Sequence, residues 1–237
     1  MQVKWMKVII GSLFAAALFY IIQDQLQSDR SIGWHMPLSQ RVIVIDAGHG
    51  GMDGGAVADS GLLEKEATLE ISKKVRDYLQ EAGAIVLLTR EEDTDLADEA
   101  TKKIRTRKTE DLKRRVEIVN ESDADLFISI HMNAIPSPKW RGAQTFYHLS
   151  NPQNQVVAKL IQDEMVRNLE NTNRIAKPIQ HVYLLKEAEI PGALVEAGFL
   201  SNPEEAELLN TEEYQESVAA SIYQGILRYY SGEEAPK

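Results

Sequence analysis

Two hydrophobic patterns alternate from Arg41 to Tyr230. Short apolar runs read as buried strands: Arg41 to Asp46 around Val42-Ile43-Val44-Ile45, Ile85 to Thr89, Leu126 to Ile130, and Ala193 to Ala197. Ala143 to Leu149 reads as a further strand. Between these runs, apolar residues recur at helical spacing. Ile71, Val75 and Leu79 predict a helix over Lys65 to Ala82, stopped at Gly83. Leu112, Val116 and Val119 mark a second helix ending near Asn120. Asn151-Pro152 opens a third, running to about Leu169, with Val156, Leu160 and Ile161 on its buried face. Glu204 to Leu209 and Glu213 to Tyr230 are also helical, with Val218, Ile222 and Ile226 aligned on the last. Ile179 to Lys186 is irregular or a short strand. Strand, helix, strand in this order predicts parallel pairs with right-handed crossovers, and so an α/β domain. No internal repeat is visible.

Two stretches depart from that alternation. Lys4 and Lys7 precede Val8 to Ile22, fifteen residues without a charge. That is the pattern of an export signal, and it is short of the roughly 20 residues that span a bilayer. Residues 1–24 are therefore expected to direct export, with retention as a membrane anchor left open and the bulk of the chain outside the cytoplasm. A polar tether follows over 25–40, the catalytic domain over 41–231, and a loose tail over 232–237. The second departure is Glu91 to Lys108, where acidic residues from Glu91 to Glu99 give way to Lys102, Lys103, Arg105, Arg107 and Lys108. It reads as a solvated loop or surface helix, or as a flap at a site mouth. Its segregated charge makes it a candidate contact for a protein activator.

Composition narrows the function. A chain of 237 residues with 43% hydrophobic residues can bury a sizeable core. Its net charge of −10 argues against a nucleic-acid partner, which needs excess Lys and Arg. With no cysteine, any metal site must use His and carboxylate.

The strand ends carry that chemistry. The first strand runs into Ala47-Gly48-His49-Gly50-Gly51, a histidine between glycines at the carboxyl edge of a sheet, where α/β folds bind ligands. The third ends at His131-Met132-Asn133. The last carries Glu196 inside Ala193-Leu194-Val195-Glu196-Ala197, and an unpaired carboxylate there costs several kcal/mol to bury. Glu64 stands at a helix start, 64 − 49 = 15 positions after His49, with Glu66 as its rival. Two histidines and two carboxylates at one edge suit a zinc hydrolase, with three ligands and one general base. His35, His148 and His181 lack such context and are expected to be non-catalytic.

Val44 to Gly51, Glu64-Lys65, Ser129 to Asn133, and Leu194 to Asn202 together resemble the zinc-dependent N-acetylmuramoyl-L-alanine amidases. Thr89-Arg90 and Arg115 on the second helix also look like that family. The resemblance implies a single α/β domain built on a twisted, mixed, mostly parallel sheet of about six strands flanked by helices. It implies zinc held by His49, Glu64 and His131, preferring Glu64 over Glu66, with Glu196 as the catalytic carboxylate. The substrate it implies is peptidoglycan, glycan strands bearing stem peptides, cleaved between the lactyl group and L-alanine. Length and the N-terminal segment look most like the sporulation members, which trim stem peptides on the way to muramic δ-lactam in spore cortex. A zinc peptidase on other amides and a non-catalytic wall-binding scaffold are the alternatives.

Overall fold

The structure is a computed structural model that describes residues 16–20, 23 and 36–236. The β-branched run after Arg41 becomes the strand β1 (Val42–Ala47), fully buried from its second residue on. It lies beside β2 (Ile85–Leu88) and β3 (Leu126–Asn133), both parallel to it. The remaining strands are β4 (Gln144–Tyr147), β5 (Lys177–Pro178) and β6 (Gly192–Phe199). They form one sheet in the order β2-β1-β3-β6-β4-β5, in which only the β4–β6 pair is antiparallel. β2 is an edge strand, and its Ile85 and Leu87 stay exposed on one face.

Helices cover both faces. On one side lie α1 (Glu64–Glu81), α3 (Pro152–Leu169) and α6 (Glu212–Tyr230), packed over Ile43, Ile45, Ile128, Ile130 and Val195. On the other, α2 (Ile104–Glu121) and α4 (Tyr183–Glu187) cover a smaller cluster around Val44, Val119, Phe127 and Leu194. α5 (Pro203–Leu209) follows β6 and is capped by Asn202, whose side chain accepts from the backbone N–H groups of Glu204 and Glu205. Alternate residues of β1 and β3 thus feed different cores, as the two-residue strand period requires. A single slip in register would exchange the cores and turn His131 away from the edge.

Several expectations need correction. The second helix begins at Ile104, not near Leu112, and its first turns are tied by Arg107 to Asp95 of the acidic loop and by Lys108 to Asp53 of the glycine-rich loop. Asp93 meanwhile holds Lys65 at 2.6 Å on α1. On α3 the buried valine is Val157, with Val156 only half-buried, while Leu160 and Ile161 are buried as expected. The expected irregular segment 179–186 contains the short helix α4, and its strand lies just before it, at β5. β3 continues through His131 to Asn133, so that histidine sits within the strand's end rather than after it.

The export signal expected over 1–24 lies outside the described residues except for 16–20 and 23, which are helical and exposed. Among the described residues no helix is long and apolar enough to cross a membrane. The tether expected over 25–40 is described from Met36 on, and its end is not free: Leu38 is wholly buried and its N–H donates to the Ala82 carbonyl at 3.0 Å. In the tail, Glu233 pairs with Arg228, and the Pro236 carbonyl accepts from Lys159.

Candidate functional site

Past β1 the chain must reverse in a few residues while offering one imidazole. It does so with His49 at φ +62°, a left-handed conformation that few non-glycine residues adopt and that His tolerates better than most. Gly50 and Gly51 continue at positive φ. Gly48 is needed for space, because a Cβ there would stand 2.5 Å from the His131 ring. Two buried arginines tie the turn down from below. Arg115 on α2 donates to the carbonyls of Ala47 at 2.7 Å and His49 at 2.6 Å. Arg90, just after β2, donates to the carbonyls of Ala47 and Gly48 at 3.0 Å each. Arg115 is in turn held by Asp46 at 2.7 Å and Asp111 at 2.9 Å. Asp46 also accepts from Ser129 at 2.6 Å and Thr89 at 2.8 Å. Burial alone would raise the Asp46 pKa, but the Arg115 charge and these donors hold it at about 2.

Glu64 enters from α1, its first helical residue. Its Oε1 lies 3.0 Å from His131 Nδ1 and its Oε2 lies 3.1 Å from His49 Nε2. The same carboxylate accepts the backbone N–H of Met132 at 3.0 Å and of Ala56 at 2.8 Å, which fixes both oxygens. One donor atom from each of His49, Glu64 and His131 lies within 4.8 Å of the other two. Glu66, the rival, points to solvent. Burial would push Glu64 upward, but the two imidazoles hold it well below the usual carboxylate range. Burial would depress His49, but its bonds to Asp53 and Glu64 carry it up to about 9. Two imidazoles held against a carboxylate this tightly are a donor set that suits a divalent cation, which would displace the shared protons.

Glu196 is the neighbour of His131 across the β3–β6 register. Its Oε2 is shut off from solvent, and no described group hydrogen-bonds it. A buried carboxylate oxygen without a partner is costly, and its place beside three possible ligands gives it a use there. Burial pushes its pKa up to about 7, with opposing pulls from the imidazoles and Glu64. All four residues singled out from the sequence therefore meet at one edge.

Sequence reasoning missed three neighbours. Asp53 Oδ2 accepts from His49 Nδ1 at 2.9 Å, leaving Nε2 to face Glu64. Lys108 of α2 pairs with that same Asp53 oxygen at 2.9 Å. His181, in the loop before α4, lines the same cavity of about 210 Å³ as His49 and His131. Asp53 lay in plain view four residues after His49, but a glycine-rich loop gives no periodicity from which to infer direction. His148 stays outside the site, and its Nδ1 accepts from the Ser150 N–H.

A family model described as N-acetylmuramoyl-L-alanine amidase matches residues 43–228. Over 235 residues the chain is 53% identical to the germination-specific N-acetylmuramoyl-L-alanine amidase of Bacillus subtilis (strain 168), covering 99% of this chain and 98% of that protein. Among solved structures it resembles the CwlD amidase from Clostridioides difficile in complex with the GerS lipoprotein, with a TM-score of 0.80 and 43% identity over 82% of this chain and 100% of that one. The N-acetylmuramoyl-L-alanine amidase from Clostridium difficile 630 matches with a TM-score of 0.71 and 29% identity over 81% of this chain and 97% of that one.

Proposed function

Since this chain belongs to the N-acetylmuramoyl-L-alanine amidase family, we propose that it removes stem peptides from peptidoglycan with a zinc ion held by His49, Glu64 and His131 and with Glu196 as the catalytic carboxylate. The observation that carries this reading is the meeting of three donor atoms within 4.8 Å beside a buried carboxylate oxygen that no described group satisfies. Bound by these residues, zinc would supply Lewis acidity toward the amide carbonyl and a more acidic water, with a pKa of roughly 7.

The rest of the chemistry belongs to the chain. Asp53 keeps the His49 Nδ1 proton in place, so that Nε2 stays free as a donor. Glu196 takes a proton from the attacking water and passes it to the alanine nitrogen, since an amide nitrogen leaves poorly unless protonated. Its partly desolvated position favours that shuttle, because a carboxylate raised toward neutrality both accepts and returns a proton readily. Arg115 and Arg90 hold the His49 turn by its backbone carbonyls.

The germination-specific relative and the N-terminal apolar run support an exported enzyme working on spore cortex, where trimming of stem peptides precedes muramic δ-lactam formation. Membrane retention through residues 1–24 belongs to the same proposal. So does an exported protein partner, supported by the lipoprotein complex of the C. difficile relative. Digestion of intact peptidoglycan by the zinc-loaded protein, followed by mass analysis, tests the reaction. New amino-terminal alanine paired with peptide-free muramic acid is the expected result. New termini elsewhere in the peptide would point to a peptidase, and no product to a scaffold.

A further inference from the structure

The four-residue site does not exhaust the sheet edge. Across β6 from His131 lies β4, and there Gln144 is the register partner of Glu196. Directly opposed residues of neighbouring strands point to the same face, with their Cα atoms about 5 Å apart. Gln144 is buried, and both ends of its amide are spent: Nε2 donates to the Ile175 carbonyl at 2.9 Å, and Oε1 accepts from Arg174 Nη1 at 3.1 Å. It therefore holds an arginine instead of touching a ligand.

That arginine is fixed on every side but one. Its Nε donates to the Arg141 carbonyl at 2.9 Å. Its guanidinium lies over the Phe199 ring at 5.0 Å and the Trp140 ring at 5.7 Å. Among the described residues no carboxylate comes within salt-bridge distance of it, whereas the adjacent Arg141 reaches Glu204 at 3.4 Å. The buried Glu205 carboxylate feels its charge from a distance but does not pair with it, so one side of the fork stays open to a carboxylate. Arginine's fixed fork matches a carboxylate, and holding it in advance lowers the entropy lost on binding. Beside it Trp140 and Ile175 are 50% and 70% exposed, an apolar rim of the kind found at recognition surfaces.

We infer that Arg174 is a binding site for a carboxylate of the stem peptide, placed on the leaving-group side of Glu196. This rests on the amidase reading above. Glu196 protonates the departing nitrogen, so the peptide must run outward past it, and the row His131, Glu196, Gln144 sets that direction toward β4. Gln144 stands one strand away from Glu196, with Cα atoms about 5 Å apart, and Arg174 is held at the far end of its amide. An extended peptide advances about 3.5 Å per residue, so a stem residue beyond the first reaches it. Gln144 is a positioning residue for Arg174.

The test uses the zinc-loaded full chain and two synthetic N-acetylmuramoyl-L-alanyl peptides, alike except that the second stem residue carries either a free α-carboxylate or a carboxamide. The wild type should favour the carboxylate form by roughly 10- to 100-fold in kcat/KM, the worth of a charge-assisted contact, and mainly through KM. Arg174→Gln should bring that ratio near one. A general loss of folding or of catalysis would lower both substrates and leave the ratio alone. Binding of the two free L-alanyl peptides, measured by calorimetry, gives the same ratio without any cleavage. If the wild type cut neither substrate, the amidase reading would fall, while the binding ratio would still decide the Arg174 site. A wild-type ratio near one in binding, or an unchanged ratio in Arg174→Gln, overturns the proposal.

Discussion

His49 occupies a backbone conformation that costs of order 1 kcal/mol, and the strain is sustained only because Arg115 and Arg90 grip the carbonyls on either side of it. Its imidazole is then held between Asp53 at Nδ1 and Glu64 at Nε2. Asp53→Ala should therefore keep the fold but weaken metal affinity by roughly 10- to 100-fold, read by competition with a chromophoric chelator. Unchanged affinity would mean that the turn itself suffices. His49 and His131 were legible in the sequence because each follows a buried strand, and Glu196 because a carboxylate has no cheap place in an apolar run. Asp53 and Lys108 were not legible. Each acts through a loop or a helix end whose direction depends on tertiary contacts, and exposed charges with no periodicity carry no address.

At the scale of elements, the site joins the turn after β1, the end of β3, the start of α1 and the middle of β6. Glu64 reaches two imidazoles because α1 starts with it, directly after the glycine-rich loop. Helical spacing placed that start within one residue. The start of α2 was hidden because its first turns are mostly polar and charged, and Arg107 and Lys108 find partners in two loops, Asp95 and Asp53, instead of in the core. β6 is followed at once by α5, whose cap Asn202 also donates to the Pro138 carbonyl at 2.8 Å and so joins the 134–143 loop to the helix. Asn202→Ala should cost about 1–2 kcal/mol of stability in denaturant unfolding, a little above an ordinary cap because the loop contact is lost too. A loss under a few tenths of a kcal/mol would show that the cap is replaceable by solvent.

For the whole molecule, the buried Asp46–Arg115 pair links β1, β3, α2 and the edge after β2 under the site. Asp46 is depressed from 3.8 to about 2, so its contribution is fully present above about pH 4 and is lost as pH falls through about 2. The size of that loss is about 2 kcal/mol. Denaturant unfolding between pH 5 and pH 2 should show it, and Asp46→Asn, less stable throughout, should have a shallower slope over that window. An unchanged slope would place the acid sensitivity elsewhere. The claim on which the account depends is that one protein-bound zinc and one carboxylate do separate jobs. Zinc content and release of L-alanine-terminated peptide from peptidoglycan should be measured together on the wild type, His49→Ala and Glu196→Ala. The account predicts one zinc and product for the wild type, neither for His49→Ala, and zinc without product for Glu196→Ala. A Glu196→Ala protein that cleaves at near the wild-type rate, or a His49→Ala protein that keeps its zinc and its activity, would contradict it.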